Sequence, residues 1–384
     1  MNGNSLAIGS LVFLSLYSYF IYPLVLLVAR RVRGPTTPPS RALPPGAPEA
    51  KVSLIITAFN EQERIRAKIE NSLELAYPRE RLEIIVASDA STDRTDAIVA
   101  EFPGVKLVRV AERKGKEHAQ KRAILESSGS LVIFTDVATL LDPDAVDRLA
   151  AAFRDPGVGA ISSTDRLLEE DGSGSGEGLY VRYEMLLRRL ESQVNGLVGM
   201  SGSFFAARRE VCSEWAANLP SDFNTVMSCV RHGYRAISDE SVIGYYRDIQ
   251  KGQSEFARKV RTLVRGITAF FANLELLDFR RFGFFSFQLL SHKLMRWLVP
   301  FFMLLLLPVT LAGLLRRNPL AALAAALQAA FYVLAWRGHL SPASRAKAPV
   351  KVAYFFTQAN LAILAAWIKY WRGERISMWT PSRR

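Results

Sequence analysis

A chain of 384 residues with 49 Lys and Arg against 36 Asp and Glu carries a net charge of +13, an excess that on one face would suit nucleic acid. Residues 1–50 and 337–384 hold eleven of the thirteen excess positive charges, and the middle of the chain is nearly balanced. Basic ends beside uncharged apolar runs are membrane flanks, so nucleic acid is excluded as a partner and membrane lipids are expected.

The run Met1–Ala29 has no charged residue and ends in Arg30, Arg31 and Arg33. It is too long for a signal peptide and reads as a spanning helix with its basic end in the cytoplasm. Three further uncharged runs, Trp297–Leu315, Asn318–Trp336 and Val352–Ile368, each approach the ~20 residues a bilayer span needs. Three late spans would leave the basic tail outside, against the positive-inside rule. The last run therefore either lies in the interface or overrides that rule. Cys212 and Cys229 have no pairing or metal spacing, and His118, His232, His292 and His339 are scattered, so no zinc site is expected.

Between the membrane segments, residues 34–50 (GPTTPPSRALPPGAPEA) read as an extended linker. Val52–Ala58 is a predicted strand, and Ile65, Ile69 and Leu73 recur at helical spacing. A second strand, Leu82–Ala87, runs into Ser88-Asp89-Ala90-Ser91-Thr92-Asp93 and a helix bearing Ile98 and Val99. Val105–Val110 is a third strand, followed by the basic Arg113-Lys114-Gly115-Lys116 and a helix to about Ser127. The apolar run Leu131–Phe134 predicts a buried parallel strand that delivers Asp136 at its carboxyl end, the edge where ligands bind in open α/β sheets. Asp142-Pro143 reads as a helix start with Asp as N-cap and Pro in the first turn.

Strand alternating with helix from 52 to about 155 predicts a doubly wound α/β fold. Its strand ends bring Asn60, Glu61, Asp89, Asp93, Lys114, Lys116 and Asp136 to one crevice. Neither G-x-G-x-x-G after the first strand nor a P-loop occurs. Further on, Gly172–Gly178 is an expected loop before a helix over 179–194, and 196–206 (GLVGMSGSFFA) is a small-residue turn into a short strand. Asp222 opens a helix through about Arg231. Residues 253–285 mix Arg, aromatics and isolated acids, as an amphipathic helix on a membrane surface does.

TAFNEQE at 57–63, ASDASTDRT at 87–95, RKGKEHA at 113–119, FTDVAT at 134–139 and ARKVRT at 257–262 occur in an order and spacing that resembles the family 2 glycosyltransferases of GT-A fold. More narrowly, the chain is similar to membrane-bound bacterial enzymes related to polysaccharide synthases, from about Lys51 to Trp297. The resemblance implies a Rossmann-like cytoplasmic domain (51–250) and a nucleotide diphosphate sugar donor, UDP- or GDP-linked. The remaining divisions are an N-terminal transmembrane helix (1–33), the linker (34–50), an interfacial segment (251–295), C-terminal transmembrane helices (296–371) and a basic tail (372–384).

For the site, the resemblance implies that Ala58, Asn60 and Glu61 border the nucleotide, with Glu61 accepting from ribose or base. Asp89 and Asp93 recognise the nucleotide, Asp89 by accepting from the base edge, both being candidates for helix capping as well. Lys116 and Lys114 offset the diphosphate charge, and Arg258 and Arg261 clamp it. Asp136 holds Mg²⁺ or Mn²⁺. Ala138 stands where the family carries a second acidic or amide residue, which leaves phosphate oxygens and water to complete the cation's shell. Asp222, in LPSDFNTVM, matches the carboxylate base, with Ser221 where many polymer synthases have Glu. Met200, Ser201 and Gly202 border the acceptor. The Q-x-x-R-W pattern is absent in that form, although Lys293, Arg296 and Trp297 come later.

The implied activity is inverting transfer of a sugar to a glycan or lipid-linked acceptor at the bacterial inner membrane, in cell-surface or exopolysaccharide synthesis. The alternative is a catalytically retired nucleotide-sugar-binding subunit of such a complex, which Ala138 and Ser221 favour. Hydrolysis by paired carboxylates would not explain the basic motif.

Overall fold

The computed structural model describes residues 3–34, 50–167, 176–246 and 252–376; most of the 34–50 linker, 172–175 of the glycine-rich loop and the end of the basic tail lie outside them. The N-terminal apolar segment is one helical rod, α1 (Gly3–Leu16) and α2 (Tyr22–Arg33), joined by a π-helical turn over Tyr17–Ile21. The π turn ends two residues before Pro23, which lacks the N–H for the next helical bond and whose ring crowds the carbonyl four residues back.

The α/β unit follows in the predicted order: β1 (Val52–Ala58), α3 (Ile65–Leu73), β2 (Leu82–Ser88), α4 (Thr95–Ala100), β3 (Val105–Arg109), α5 (Lys116–Glu126) and β4 (Leu131–Asp136). These four strands pair in parallel in the order β3-β2-β1-β4. Alternate residues serve opposite faces. Leu54 and Ile56 pack in one core with Ile65 and Ile69 of α3, whereas Ile55, Val132 and Phe134 join the core on the other side. Phe134 stacks between Phe205 (4.8 Å) and Trp215 (4.6 Å), contacts each contributing about 0.5–1.5 kcal/mol beyond area burial.

A two-residue strand β5 (Leu140–Leu141) and helix α6 (Ala145–Ala152) come next. The helix start expected at Asp142-Pro143 is displaced to Ala145, with Asp144 in the N-cap position and the Asp142 carboxylate 3.6 Å from Arg148. The cause is α3. Asn71 exchanges two hydrogen bonds with the backbone of Leu141, and Ala76 N donates to Pro143 O at 2.7 Å, so residues 141 and 143 are anchored and 143–144 form a turn before the helix.

The second half adds β6 (Val158–Leu167), α7 (Gly176–Val194), β7 (Phe204–Arg208), α8 (Ser221–Arg231) and β8 (Arg235–Tyr246). The helix expected from 179 starts at Gly176, so 176–178 are helical rather than loop. β7 inserts antiparallel between β4 and β6, and β8 runs parallel to β6, giving β3-β2-β1-β4-β7-β6-β8-β5.

The amphipathic helix α9 spans Gly252–Phe271 and stops well short of 285. Asn273 turns its amide back onto Ala269 O at 2.6 Å and breaks the run. Short helices α10 (Phe279–Phe282) and α11 (Phe284–Leu289) lead into α12 (Met295–Leu315), α13 (Pro319–Leu340), α14 (Pro342–Arg345) and α15 (Ala348–Trp371). Among the described residues four segments are long and apolar enough to cross a membrane: Gly3–Val32, Phe284–Leu315, Pro319–Leu340 and Ala348–Trp371. They are pinned to the α/β unit by buried polar contacts. Tyr22 Oη and His292 Nδ1 both donate to Glu191 Oε1 of α7 at 2.7 Å, and Arg296 pairs with Glu184.

Candidate active site

Strand order reverses between β1 and β4, and the crevice outside that switch point is where open α/β sheets bind ligands. Thr57 and Asp136 are paired in register at its edge. A cavity of about 310 Å³ opens there, lined by Glu61, Lys116, Asp136 and Ala138 on the sheet side and by Asp222, Arg258 and Arg261 opposite. That volume is at the low end of the about 300–1,000 Å³ typical of small-molecule clefts. A larger cavity, about 520 Å³, sits at the other end of the sheet between Ala50, Leu131 and Arg209. It collects none of the residues expected for chemistry, and the switch-point cavity is the candidate site.

Asp136 leaves β4 with its backbone N–H on Ser203 O (3.0 Å) and its carboxylate facing Lys116, whose Nζ lies 2.5 Å from Oδ1. The same ammonium donates to Gly202 O at 2.8 Å. Lys116 is the first residue of α5, brought there by the loop before it. Gly115 adopts φ +104, open to glycine and strained for other residues, and its N–H meets Asp89 Oδ2 at 2.9 Å. Lys114 N donates to the other oxygen at 3.0 Å. Asp89, 1% exposed, thus ties the end of β2 to the lysine loop and does not line the cavity. Lys114 points its ammonium to Glu112 at the surface.

Asn60, at φ +53, accepts from Thr92 N at 2.8 Å and joins the loops after β1 and β2. Asp93 accepts from Thr95 N and Gln62 N and orders the start of α4. Burial would raise its pKa, but these hydrogen bonds outweigh it and hold the carboxyl below its ordinary range. Glu61 is 4% exposed and meets Arg64 at 2.7 Å. Its pKa is raised, because burial outweighs the Arg64 attraction. Ala58 is fully buried at the end of β1.

Across the cavity, Asp222 stands in the first turn of α8, where its charge complements the helix dipole. Gly202 passes directly beneath it: a Cβ there would lie 3.1 Å from Asp222 Oδ2. Ser201 and Gly202 line the cavity, whereas Met200 is buried behind them, its N–H on Asp222 O. Arg258 and Arg261 come from one face of α9, with Val260, Val264 and Ile267 buried on the other. Burial, then the neighbouring Arg265 and Arg258, lower the Arg261 pKa.

Four further residues line this cavity, and Lys68 is buried near it. Arg265 and Thr262 continue the Arg258 and Arg261 face, which the three- and four-residue spacing would have revealed. Glu117, next to Lys116, ion-pairs with Arg265 and accepts from Ser221 N at 3.5 Å. Asp165 emerges at the end of a β-rich run, as Asp136 does, and accepts from Ser201 and Ser203. Lys68 is fully buried on α3 and donates to Thr139 O at 2.6 Å. Burial pushes its pKa down to about 7, against the opposing pull of Asp136.

Among the described residues no three His, Cys, Asp or Glu side chains cluster to hold a metal. Of the described carboxylates that line the cavity, Asp136 stands at the expected strand end but is held by Lys116, Glu61 is paired with Arg64, and Ala138 has no donor. A hard cation here would have to take most of its oxygens from a bound diphosphate and water.

Comparison with known proteins agrees with this geometry. Residues 53–215 match the family described as Glycosyl transferase family 2. The chain is 28% identical over 160 residues to the poly-beta-1,6-N-acetyl-D-glucosamine synthase of Staphylococcus epidermidis, covering 40% of this chain and 38% of that protein. It is 35% identical over 130 residues to an N-acetylglucosaminyltransferase of Mesorhizobium japonicum, covering 32% and 30%. The match thus spans about a third of the length of these relatives. Its fold is shared with the mannosyltransferase PcManGT of Pyrobaculum calidifontis, solved with GDP-Man and Mn²⁺, at a TM-score of 0.71 and 24% identity over 97% of this chain and 100% of that one. A GT-A-like sheet, a basic and acidic crevice at its switch point and the sequence match together identify residues 53–215 as a glycosyl transferase family 2 domain.

Proposed function

We propose that the chain is an inverting glycosyltransferase that moves one sugar from a UDP- or GDP-sugar to a hydroxyl of a glycan or lipid-linked acceptor at the bacterial inner membrane. The observation that carries this reading is the convergence of the Lys116–Asp136 pair, Asp222 and the arginine face of α9 on one cavity.

Each group has a task its position suits. Lys116, Arg258 and Arg261 offset the charge of the departing diphosphate. Asp89 and Asn60 hold the loops that carry the nucleotide, and Glu61 faces its ribose. A Mg²⁺ or Mn²⁺ ion held by Asp136 and the phosphates would supply further charge neutralisation to the leaving group. Asp222 takes the proton from the acceptor hydroxyl as that oxygen attacks the anomeric carbon from the face opposite the diphosphate. The turn Ser201-Gly202 lies beside it and borders the acceptor. The four apolar helices, with Arg30, Arg31 and Arg33 at the end of the first, support a multi-pass placement with the catalytic domain cytoplasmic.

The test is nucleoside diphosphate release by the purified chain, screened over nucleotide sugars with membrane extract, with and without Mg²⁺ or Mn²⁺. Asp222→Asn is expected to lower turnover by about 10²–10⁴-fold while nucleotide affinity stays within about twofold. Unchanged turnover would remove Asp222 as the base. Nucleotide binding without release from any donor, acceptor supplied, would favour the retired-binder reading that Ala138 suggests.

A further inference from the structure

We infer that Asp165, with Ser201 and Ser203, forms a subsite that recognises sugar hydroxyl groups at the reaction centre. This rests on the transferase reading and extends it to how the carbohydrate itself is held.

Asp165 lies two residues before the end of β6 and lines the same cavity as Asp136 and Asp222. Its carboxylate makes no ion pair with any described residue. Its partners are neutral hydroxyls. Ser201 Oγ donates at 2.7 and 2.8 Å, Ser203 Oγ at 3.0 Å and Ser163 Oγ more distantly at 3.4 Å. A carboxylate offers about four acceptor positions, and each serine oxygen keeps lone pairs after donating. The cluster is therefore an array of acceptors with one net negative charge and no cation to consume it. The complement of such an array is a ligand rich in O–H donors, which describes a sugar ring.

The placement fits the same ligand. β7 separates β6 from β4, so the Asp165 and Asp136 backbones lie about 10 Å apart, two strand spacings, a span on the scale of one hexose. The floor between them is Gly202, which has no side chain to fill the gap and passes under Asp222. A sugar whose phosphate sits at Lys116 and Asp136 would lie over Gly202, with its outer hydroxyls at Asp165 and its anomeric carbon near Asp222. A hexose on the acceptor side presents the same chemistry to the same array.

The experiment titrates the full chain and its Asp165→Asn and Ser201→Ala variants with UDP, GDP, UDP-N-acetylglucosamine and GDP-mannose. It then measures nucleoside diphosphate release at graded concentrations of membrane extract. For Asp165→Asn the expected result is UDP and GDP affinity within twofold of the parent, with about 10- to 100-fold weakening toward the sugar-bearing partner. Weakened nucleotide-sugar affinity assigns the hydroxyls to the donor. An unchanged donor affinity with a matching rise in half-maximal extract concentration assigns them to the acceptor. Ser201→Ala should shift the same quantity in the same direction by a smaller factor, and it decides the matter if Asp165→Asn does not fold.

Unchanged donor and extract dependence in both variants overturns the inference. So does an equal loss of UDP, GDP and nucleotide-sugar binding, because that marks a role in holding β6 to β7. A parent chain that binds none of the four nucleotides overturns the transferase reading itself, and this subsite with it.

Discussion

Lys116 Nζ lies 2.5 Å from Asp136 Oδ1 and 2.8 Å from Gly202 O, so a single ammonium joins the end of β4 to the turn before β7. The lysine side chain is 8% exposed and the aspartate 21%, which keeps the pair partly shielded from water. Removing one partner leaves the other charge desolvated and uncompensated. Lys116→Met is expected to weaken nucleoside diphosphate binding and to lower turnover on the order of 10²-fold. Lys116→Arg should recover part of the binding, because the charge returns without the compact ammonium geometry. Calorimetric titration with UDP or GDP checks both. Unaltered affinity in the Met variant would remove Lys116 from the diphosphate site.

Glu117 holds two elements that enter the cavity from different directions. Its side chain is 3% exposed, pairs with Arg265 of α9 and reaches Ser221 N at the start of α8. Glu117→Gln should cost about 3–5 kcal/mol of stability, because Arg265 is left buried without its counter-charge. The double variant with Arg265→Met should recover a large share of that loss, since no orphaned charge remains. Thermal denaturation of the two single variants and the double variant measures the coupling. Additive losses would show that the two side chains act independently.

Lys68 gives a pH dependence with a definite sign. Burial lowers its pKa to about 7, whereas an unfolded lysine titrates at about 10.4. Below about pH 7 both states carry the proton and the folded state bears the full cost of a buried charge. From about pH 7 to 10 the folded state releases its proton first, so that cost declines and the lysine chain gains stability. The difference in melting temperature between Lys68→Met and the parent should therefore favour the Met variant most near pH 6, and shrink toward pH 9. A difference that is flat over this range would show that Lys68 is not buried as a charge. Loss of the Lys68 bond to Thr139 O should also loosen the turn that follows Asp136 and reduce turnover in the Met variant.

The last apolar helix makes a prediction about the tail. α12 and α13 form a hairpin through the turn at Arg316-Arg317, so the start of α12 and the end of α13 lie at the same end of it. α15 touches both. Tyr354 and Val350 pack on Gly338 of α13, and Trp367 Nε1 donates to Trp297 O of α12 at 2.9 Å. Tyr370 stacks on Phe271 of α9 at 5.3 Å. Both ends of α15 thus pack at the base of the hairpin, and the expectation is that it lies along the membrane face with its basic end on the side of the catalytic domain. Cysteine labelling at position 384 from either side of sealed vesicles is expected to match labelling at an exposed catalytic-domain position such as Lys121. Opposite sidedness would mean that α15 crosses.

What could be read from the residues alone is local. Strands β1 to β4 and helices α3 to α5 follow from apolar runs and helical spacing, because a segment buried on both faces must be apolar whatever it packs against. The position of Asp136 at a strand end and of Asp222 at a helix start follows for the same reason. The arginine face of α9 was partly legible, through a spacing that the sequence displays. Pairings across the chain were not. Asp165 meets Ser201 only because β7 enters the sheet antiparallel between β4 and β6, which brings together residues 36 positions apart. Glu117 finds Arg265 across 148 positions. The start of α6 moved because Asn71 and Ala76 anchor the backbone at 141 and 143, a competition that no local pattern records. The same limit explains the last helix. Hydropathy shows that Ala348–Trp371 must be covered by something apolar, lipid or protein alike, and only the packing of Trp367 on α12 and Tyr370 on α9 decides which side covers which face.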